Sequence, residues 1–217
     1  MKKAIYLVRH GRTLFNLLNK VQGISDTPLL PEGEQRAAAL GKRFKQQDIH
    51  FDAVYTSDLA RAVRTTNLLL AHSASPDQTV MRTRNLREIS FGMFEGDTDD
   101  KVWSAAGKAS GNPELNGHCS DDIRIEGLAT LKKLDTTGYG ESYEDVRTRI
   151  DRFFSRIAAS DNSSILAVSH GMFINCVVYT FMKQRSQLPA IPNTTVTKLV
   201  YENSRFDIAY VGKTVDL

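Results

Sequence analysis

Five polar side chains that could act together on one phosphate group follow short, mostly apolar segments of the chain: Arg9, His10, Arg61, Glu88 and His170. Arginine binds the oxygens of a phosphoryl group bidentately, better than lysine does. A neutral imidazole can attack phosphorus and carry the phosphoryl group covalently. A second imidazole adds stabilisation, and a carboxyl group can protonate the leaving oxygen. These residue types therefore fit phosphoryl transfer, although each one taken singly is as easily structural.

The segments before these residues predict buried strands of one sheet. Residues 3–8, 51–55 and 164–168 are rich in apolar and β-branched side chains, as strands of a parallel sheet are. Ligand sites of open α/β sheets lie outside the carboxyl ends of the strands. We therefore expect the five side chains at one rim of a parallel sheet, where Gly11 lets the backbone turn sharply beside the ligand.

Helical spacing of apolar residues predicts the elements between the strands. Residues 32–47 and 172–183 form two predicted helices. A third follows Ser57 or Asp58 as its cap and carries Arg61 in its first turn, off the buried face, where free N–H groups favour an anion. A fourth begins with a capping box at residues 142–145.

The remaining segments give weaker patterns. Residues 79–83 predict a further strand, and residues 195–201 and 206–211 predict a closing hairpin. Glycines, a proline and mixed polarity interrupt residues 97–138, which we interpret as an inserted lid of short helices. The chain is then a single domain of residues 1–217 with this one insertion.

Composition narrows the possible partners. The net charge of +3 and the absence of a basic run argue against nucleic acid, whereas a mild positive bias suits a small anion. No segment approaches the length of a membrane span. Two cysteines 57 positions apart (176 − 119), without a CxxC pair, favour a reducing compartment, the cytoplasm. The sequence leaves the oligomeric state open, a homodimer included.

The chain resembles the histidine phosphatase superfamily, the phosphoglycerate-mutase-like proteins. The matching motifs occur in family order and cover nearly all of the chain outside 97–138. They are Leu-Val-Arg9-His10-Gly11-x-Thr13-x-Phe-Asn16, Gln22-Gly23-x-x-Asp26-x-Pro28-Leu29, Gly33-x-Gln35-x-Ala37, Tyr55-Thr-Ser57-Asp58-Leu59-x-Arg61-Ala62-x-x-Thr65, Leu86-x-Glu88-x-x-Phe91-Gly92-x-x-Glu95-Gly96, Gly140-Glu141-Ser142, Val168-Ser-His170-Gly171 and Pro192-Asn193.

The resemblance implies a three-layer α/β/α sandwich with a mostly parallel central sheet, and a role for each matched residue. His10 would be the nucleophile that becomes phosphohistidine, and Glu88 the general acid that later activates water. Neither a metal nor another cofactor is implied. The residues expected to hold the phosphate of a small phosphorylated substrate are Arg9, Arg61, His170, Asn16, Gly23 and the Gly171 backbone.

Two activities and one inactive state remain open at this point. Family mutases typically read Glu-Arg-His-Tyr-Gly at the acid, but Glu88 is followed by Ile-Ser-Phe-Gly, which favours a phosphatase. A phosphoglycerate mutase is the alternative. An inactive phosphate-binding relative is a third possibility, against which stands the presence of both nucleophile and acid.

Two arginines depart from the family pattern. Arg12 and Arg64 stand where relatives usually have Glu and Gln, and they are candidates for extra contacts to an anionic substrate. Solvated side chains are the simpler interpretation of both. We also expect the surrounding arginines to depress the pKa of His10 and that of Glu88, which predicts a mildly acidic optimum.

Overall fold

A mostly parallel sheet of six strands forms the centre of the computed structural model, which describes residues 2–182 and 188–217. The strand order is β3-β2-β4-β1-β5-β6, in which β1, β2, β3 and β4 run parallel, β5 pairs antiparallel with β1, and β6 pairs antiparallel with β5. The strands are β1 (Lys3–Arg9), β2 (Ala53–Ser57), β3 (Val80–Thr83), β4 (Ser164–Ser169), β5 (Val196–Glu202) and β6 (Arg205–Lys213).

Helices cover both faces of this sheet and complete a three-layer α/β/α arrangement. In the described part of the chain they are α1 (Leu14–Leu17), α2 (Pro31–Gln46), α3 (Ala60–Ala71), α4 (Asp99–Ser110), α5 (Asp121–Leu134), α6 (Tyr143–Ala159) and α7 (Gly171–Phe181). Side chains of α2 and α3 pack on one face, against Tyr6 and Val8 of β1. Side chains of α4 to α7 pack on the other, against Ile5 and Leu7. Successive side chains of β1 thus point to opposite faces of the sheet and belong to two separate apolar cores.

The predicted elements are present, with shifted ends. The second strand was expected at 51–55 and lies at Ala53–Ser57. The capping box at Ser142 is confirmed, since its hydroxyl accepts from the N–H of Asp145 and the Asp145 carboxylate accepts from the N–H of Ser142. The helix expected at 172–183 ends at Phe181, and residue 183 lies outside the described residues.

The cap expected for α3 is wrong. The helix begins at Ala60 after Leu59, and neither Ser57 nor Asp58 occupies the cap position. Ser57 is still part of β2, and the Asp58 carboxylate is held by the guanidinium of Arg87 at 2.6 and 2.7 Å. The carboxylate of the distant Asp26 accepts from the N–H of Ala60 instead. A tertiary contact therefore replaces the local cap.

The segment 97–138, called the lid below, contains helices α4 and α5. The hydroxyl of Thr98 caps α4 by accepting from the N–H of Lys101, and Gly111 ends the helix in the left-handed region at φ 70°. The apolar sides of both helices enter the same core as Ile5 and Leu7 of the sheet. None of the helices in the described residues is long and apolar enough to cross a bilayer.

Candidate active site

The register of β1 and β4 brings two histidines together. Arg9 pairs with Ser169 across the parallel ladder, so the next residues, His10 and His170, leave the sheet side by side. Their ring centroids lie 5.1 Å apart, and both side chains are buried. The two strand ends noted in the sequence therefore build one site, because adjacent parallel strands end at the same edge.

The hydrogen bonds of His10 leave its second ring nitrogen free to act as a nucleophile. Its Nδ1 lies 2.7 Å from the carbonyl oxygen of Gly11. A carbonyl oxygen only accepts, so Nδ1 carries the proton and Nε2 keeps its lone pair. Burial, followed by the charges of Arg61 and Arg9, holds the pKa of His10 well below 6.5. The expected depression is confirmed in direction, but burial is its main cause.

His170 has the opposite tautomer. The Nε of Arg61 donates to its Nδ1 at 3.1 Å, and a guanidinium only donates, so the proton of His170 is on Nε2. That Nε2 is buried without a hydrogen-bond partner among the described residues. Burial and the charge of Arg61 lower the pKa of His170 as well. His170 is thus a neutral imidazole whose Nε2–H can donate to a bound ligand.

Arg61 is buried and donates from all three of its nitrogens. Besides His170, its acceptors are the carbonyl oxygens of Gln22, Gly23 and Ser25 and the carboxylate of Asp26, at 2.8–3.2 Å. These contacts use all five guanidinium N–H groups. The sequence predicted this side chain in the first turn of α3, off the buried face. The structure instead buries it, to 1% exposure, against His170.

Arg9 reaches the pocket across Gly171. Its Nη1 donates to the carbonyl oxygen of Ile191 at 2.6 Å, whereas its buried Nε has no partner in the described part of the chain. A Cβ at position 171 would lie 3.0 Å from the guanidinium carbon of Arg9, so a larger residue there would press on the guanidinium. Gly11 has a different role from the expected turn, because a Cβ there would meet the carbonyl oxygen of Gly33 at 2.8 Å.

Glu88 is buried against the first turn of α7. Its Oε1 accepts from the N–H groups of Ile89 and Phe173 at 3.0 and 2.8 Å, and its Oε2 accepts from Met172 at 3.1 Å. Burial raises the pKa of Glu88 above 4.5, although Arg61 and these N–H groups oppose the shift. The expected depression by arginine is therefore wrong, because desolvation outweighs the attraction. Oε2, with the single longer bond, is the freer atom to hold a proton.

A pocket of about 280 Å³ opens beside these groups, and it receives some of the expected residues. Arg9, His10, Asn16, Glu88 and Gly171 line it. Arg61 and His170 are not among the residues that line it, although the ring of His170 lies beside that of His10, which does. Gly23 does not line it either, since its N–H is bound by Glu95 at 3.0 Å and its carbonyl oxygen by Arg61.

The structure does not bring Arg12 or Arg64 to this pocket. Arg12 pairs with Glu32 at 2.7 Å and Arg64 pairs with Glu34 at 2.8 Å, on the exposed side of α2 and α3. Their positive charge is thus offset locally by the first turn of α2, which contains both glutamates.

The lid contributes pocket residues that the sequence did not single out. They lie on α4 and α5 and line the same pocket: Asp99, Trp103, Asp121 and Arg124. Burial raises the pKa of both Asp99 and Asp121, against the pull of Arg124. The Thr98 hydroxyl caps α4, whereas Ser120 at the start of α5 makes no capping hydrogen bond, and only tertiary packing decides which side chains face the pocket. Within the described residues, no group of three or more His, Cys, Asp and Glu side chains could hold a metal ion.

Comparison with known proteins identifies relatives along nearly the whole chain. Residues 5–214 match the family model of the histidine phosphatase superfamily, branch 1. The chain is 29% identical to the broad-specificity phosphatase YOR283W of Saccharomyces cerevisiae, over 98% of this chain and 86% of that protein. It is 30% identical to the probable phosphoglycerate mutase GpmB of Salmonella choleraesuis, over 93% and 86%.

A solved structure shows the same fold. The phosphoglycerate mutase from Bacillus anthracis superposes with a TM-score of 0.87 at 32% identity, covering 98% of this chain and 94% of that one. The family match includes both strand ends and the glutamate that face each other here. The chain belongs to the histidine phosphatase superfamily, branch 1.

Proposed function

We propose that the protein is a phosphatase that hydrolyses small phosphomonoesters through a phosphohistidine on His10. The observation that carries this proposal is the pair of opposite histidine tautomers. His10 presents a lone pair on Nε2, and His170 holds a proton on a buried Nε2 without an acceptor in the described residues. The similarity to a broad-specificity phosphatase supports the same activity.

In the first step, Nε2 of His10 attacks phosphorus and the bond from phosphorus to the leaving oxygen breaks. Glu88 donates its proton to that oxygen, which releases the alcohol. Arg9 binds the phosphoryl oxygens from the pocket wall, and His170 donates to them from Nε2. Arg61 acts as a positioning residue, because it fixes the tautomer of His170 and adds positive charge.

In the second step, water attacks the phosphorus of phosphohistidine and the bond from phosphorus to nitrogen breaks. The Glu88 carboxylate takes the proton of the water, inorganic phosphate leaves, and His10 is restored. These roles need only side chains of the chain itself, so we propose that activity requires no metal. The free cysteines, Cys119 and Cys176, support work in a reducing compartment, the cytoplasm.

The runner-up activity is phosphoglycerate mutase, which the similarity to the GpmB protein and the Bacillus anthracis structure favours. A mutase substrate carries a carboxylate beyond the phosphate. The arginine that could meet it here, Arg124, lies between the carboxylates of Asp99 and Asp121, at 3.7 and 3.4 Å. That arrangement offsets its charge and disfavours a second anion.

The test is hydrolysis of p-nitrophenyl phosphate between about pH 5 and 8 with EDTA present. We compare the wild type with His10→Ala, His10→Asn and the exposed control His50→Ala, after checking each fold by circular dichroism. Hydrolysis that survives EDTA and His50→Ala, and that both His10 variants lose, supports the proposal. Denatured protein trapped during turnover should then carry an acid-labile, alkali-stable phosphoryl group.

Three results would overturn the proposal. If His10→Asn still hydrolyses p-nitrophenyl phosphate, the reaction does not pass through a phosphohistidine on His10. If the wild type does not hydrolyse p-nitrophenyl phosphate but interconverts 3-phosphoglycerate and 2-phosphoglycerate in the presence of 2,3-bisphosphoglycerate, the protein is a mutase. If that assay also fails, an inactive phosphate-binding protein becomes the better interpretation.

A further inference from the structure

The pocket has a second set of polar side chains besides the groups proposed to carry out phosphoryl transfer. We name it the lid subsite, formed by Asp99 and Trp103 of α4, Asp121 and Arg124 of α5, and Asn175 of α7. None of these residues has a part in the phosphoryl steps proposed above. A phosphate held at His10 would direct its alcohol toward them, because they line the rest of the same pocket.

The charges of the lid subsite cancel. Nη1 of Arg124 lies 3.4 Å from Asp121 and 3.7 Å from Asp99, and its Nη2 donates to the carbonyl oxygen of Gly117 at 2.8 Å. The lining of the whole pocket is balanced as well, since Arg9, Lys20 and Arg124 face three carboxyl groups, and the charge of Arg9 acts on both Asp99 and Asp121. A leaving group that carries a net charge of either sign is therefore repelled by a like charge next to each opposite charge that attracts it.

Donors and acceptors without partners alternate in this subsite. Among the described residues, Nε of Arg124 and Nε1 of Trp103 are buried donors without an acceptor, and Oδ1 of Asn175 is a buried acceptor without a donor. The Asn175 amide is oriented by its Nδ2, which donates to Asp121. Trp103 and Asn175 are 1% and 2% exposed. Buried polar groups normally have partners, so these atoms mark hydrogen bonds that a bound molecule completes.

We propose that the lid subsite selects an uncharged, polyhydroxylated leaving group, so that the preferred substrates are monophosphates of sugars or polyols. A hydroxyl both donates and accepts, which matches carboxylates and an amide oxygen next to a guanidinium and an indole N–H. The edge-to-face rings of Phe91 and Trp103, 6.2 Å apart, offer apolar surface to C–H groups. This inference rests on the proposed phosphatase activity and names its substrate class.

The first experiment compares kcat/KM for glycerol 3-phosphate, ribose 5-phosphate, 3-phosphoglycerate and phosphoethanolamine. Glycerol 3-phosphate and 3-phosphoglycerate are nearly the same size and differ by a hydroxymethyl group against a carboxylate. We expect the two hydroxylated substrates to exceed both charged ones by about tenfold or more. Equal values, or a preference for 3-phosphoglycerate or phosphoethanolamine, would overturn the proposal.

The second experiment changes the subsite alone. Asp121→Asn should remove most of the preference for hydroxylated substrates and raise the relative rate with 3-phosphoglycerate. Asp100→Asn is the matched control, because Asp100 lies on α4 and does not line the pocket. Hydrolysis of p-nitrophenyl phosphate should change by less than about twofold in Asp100→Asn, because Asp100 is exposed and lies outside the pocket. A uniform loss across all substrates in Asp121→Asn would contradict a specificity role.

A binding measurement separates this proposal from the phosphatase activity itself. Trp103 is the sole tryptophan, so its fluorescence reports the occupancy of the lid subsite. In His10→Ala, glycerol 3-phosphate should change that fluorescence at about tenfold lower concentration than 3-phosphoglycerate. If p-nitrophenyl phosphate is not hydrolysed by the wild type while this difference persists, only the proposed activity fails. If hydrolysis occurs without the difference, only the substrate class fails.

Discussion

His10 and His170 lie with their ring centroids 5.1 Å apart and carry their protons on opposite ring nitrogens. The carbonyl of Gly11 sets the first tautomer and the guanidinium of Arg61 sets the second. One imidazole is thereby a nucleophile and its neighbour is a donor, although the two residues are chemically identical and equally buried.

The tautomer of His170 should depend on Arg61. We expect Arg61→Met to release Nδ1 of His170, mix its tautomers and lower kcat by about 100-fold. The ring ¹⁵N shifts in two-dimensional NMR measure the tautomers directly. Arg64→Met is the control, since Arg64 lies on the same helix and pairs with Glu34 at the surface. An unchanged His170 spectrum in Arg61→Met would contradict the assignment.

The pH dependence should follow from two shifts in opposite directions. The pKa of His10 lies below 6.5, so the neutral nucleophile persists as the pH falls below that value and is lost only at lower pH. The pKa of Glu88 lies above 4.5, so the protonated acid persists above that pH and is lost as the pH rises through the raised value. We expect a bell-shaped profile of kcat/KM with an acidic optimum for an alkyl phosphate.

The alkaline side of that profile identifies its residue. Glu88→Gln should retain hydrolysis of p-nitrophenyl phosphate, whose leaving group needs little protonation, more than hydrolysis of an alkyl phosphate. Its remaining activity should lack the alkaline decline while keeping the acidic one. An alkaline decline that persists in Glu88→Gln would assign it to another group.

Arg149 should act as a positioning residue for the acid. It pairs with Glu141 at 2.8 and 2.9 Å and donates to the carbonyl oxygens of Arg87 and Glu88 at 2.9 and 3.3 Å. Glu141 also accepts from the N–H of Ser90 at 3.0 Å, so the pair holds the backbone on both sides of Glu88. Arg149→Met should therefore displace the carboxyl group from the leaving oxygen.

The readout separates this role from a general loss of structure. We expect kcat for an alkyl phosphate to fall by about tenfold to 100-fold, and that for p-nitrophenyl phosphate to fall much less. Arg147→Met is the matched control, because Arg147 lies on the same helix in an exposed pair with Asp151. Equal losses with both substrates would indicate that Arg149 only stabilises the fold.

Glu95 should stabilise the loop that supplies the acceptors of Arg61. Its carboxylate accepts from the N–H groups of Gly23, Ile24, Ser25 and Phe91 at 3.0–3.1 Å. Glu95→Gln replaces one acceptor by a donor, so we expect the free energy of unfolding to fall by about 2 kcal/mol. Urea denaturation measures it.

The control for Glu95 is a nearby surface carboxylate. Asp97 pairs with Lys101 at 2.7 Å, and the lysine is two-thirds exposed. Asp97→Asn should therefore change the free energy of unfolding by less than about 0.5 kcal/mol. A similar loss in both variants would show that the backbone contacts of Glu95 add nothing beyond a surface charge.

Arg12 should be dispensable. It pairs with Glu32 at 2.7 Å outside the pocket, with more than a third of its side chain exposed. We expect Arg12→Gln to leave kcat/KM within about twofold for every phosphomonoester tested, since exposed ion pairs contribute little. A selective loss with multiply charged substrates would restore the interpretation of Arg12 as an anion contact.

Sequence reasoning located the histidines because strand ends are local features. An apolar run followed by Arg-His-Gly or Ser-His-Gly indicates both the strand and the residue that follows it. Parallel pairing then places the two histidines at the same edge of the sheet. The environment of Arg61 could not be predicted in this way. Four of its acceptors come from residues 22–26, an irregular segment whose path is set by Glu95, some 70 positions further along the chain.

The sign of the Glu88 shift shows the same limit. Counting neighbouring arginines predicts a lowered pKa, but the degree of burial, which only packing reveals, has the larger effect. The lid shows the same limit of sequence-based prediction. Short helices were expected in 97–138, whereas the placement of Asp99 and Asp121 in one pocket with Asn175 depends on how α4, α5 and α7 pack together.

The lid shares its apolar core with the sheet, since Trp103 and Ile125 belong to the same cluster as Ile5 and Leu7. A hinged opening would expose that core to water, so we expect catalysis to proceed without a hinged motion of α4 and α5. Turnover should then be limited by bond making or by diffusion through a fixed opening. Replacement of single side chains on α4 or α5 could therefore change substrate preference and leave the residues of phosphoryl transfer unchanged.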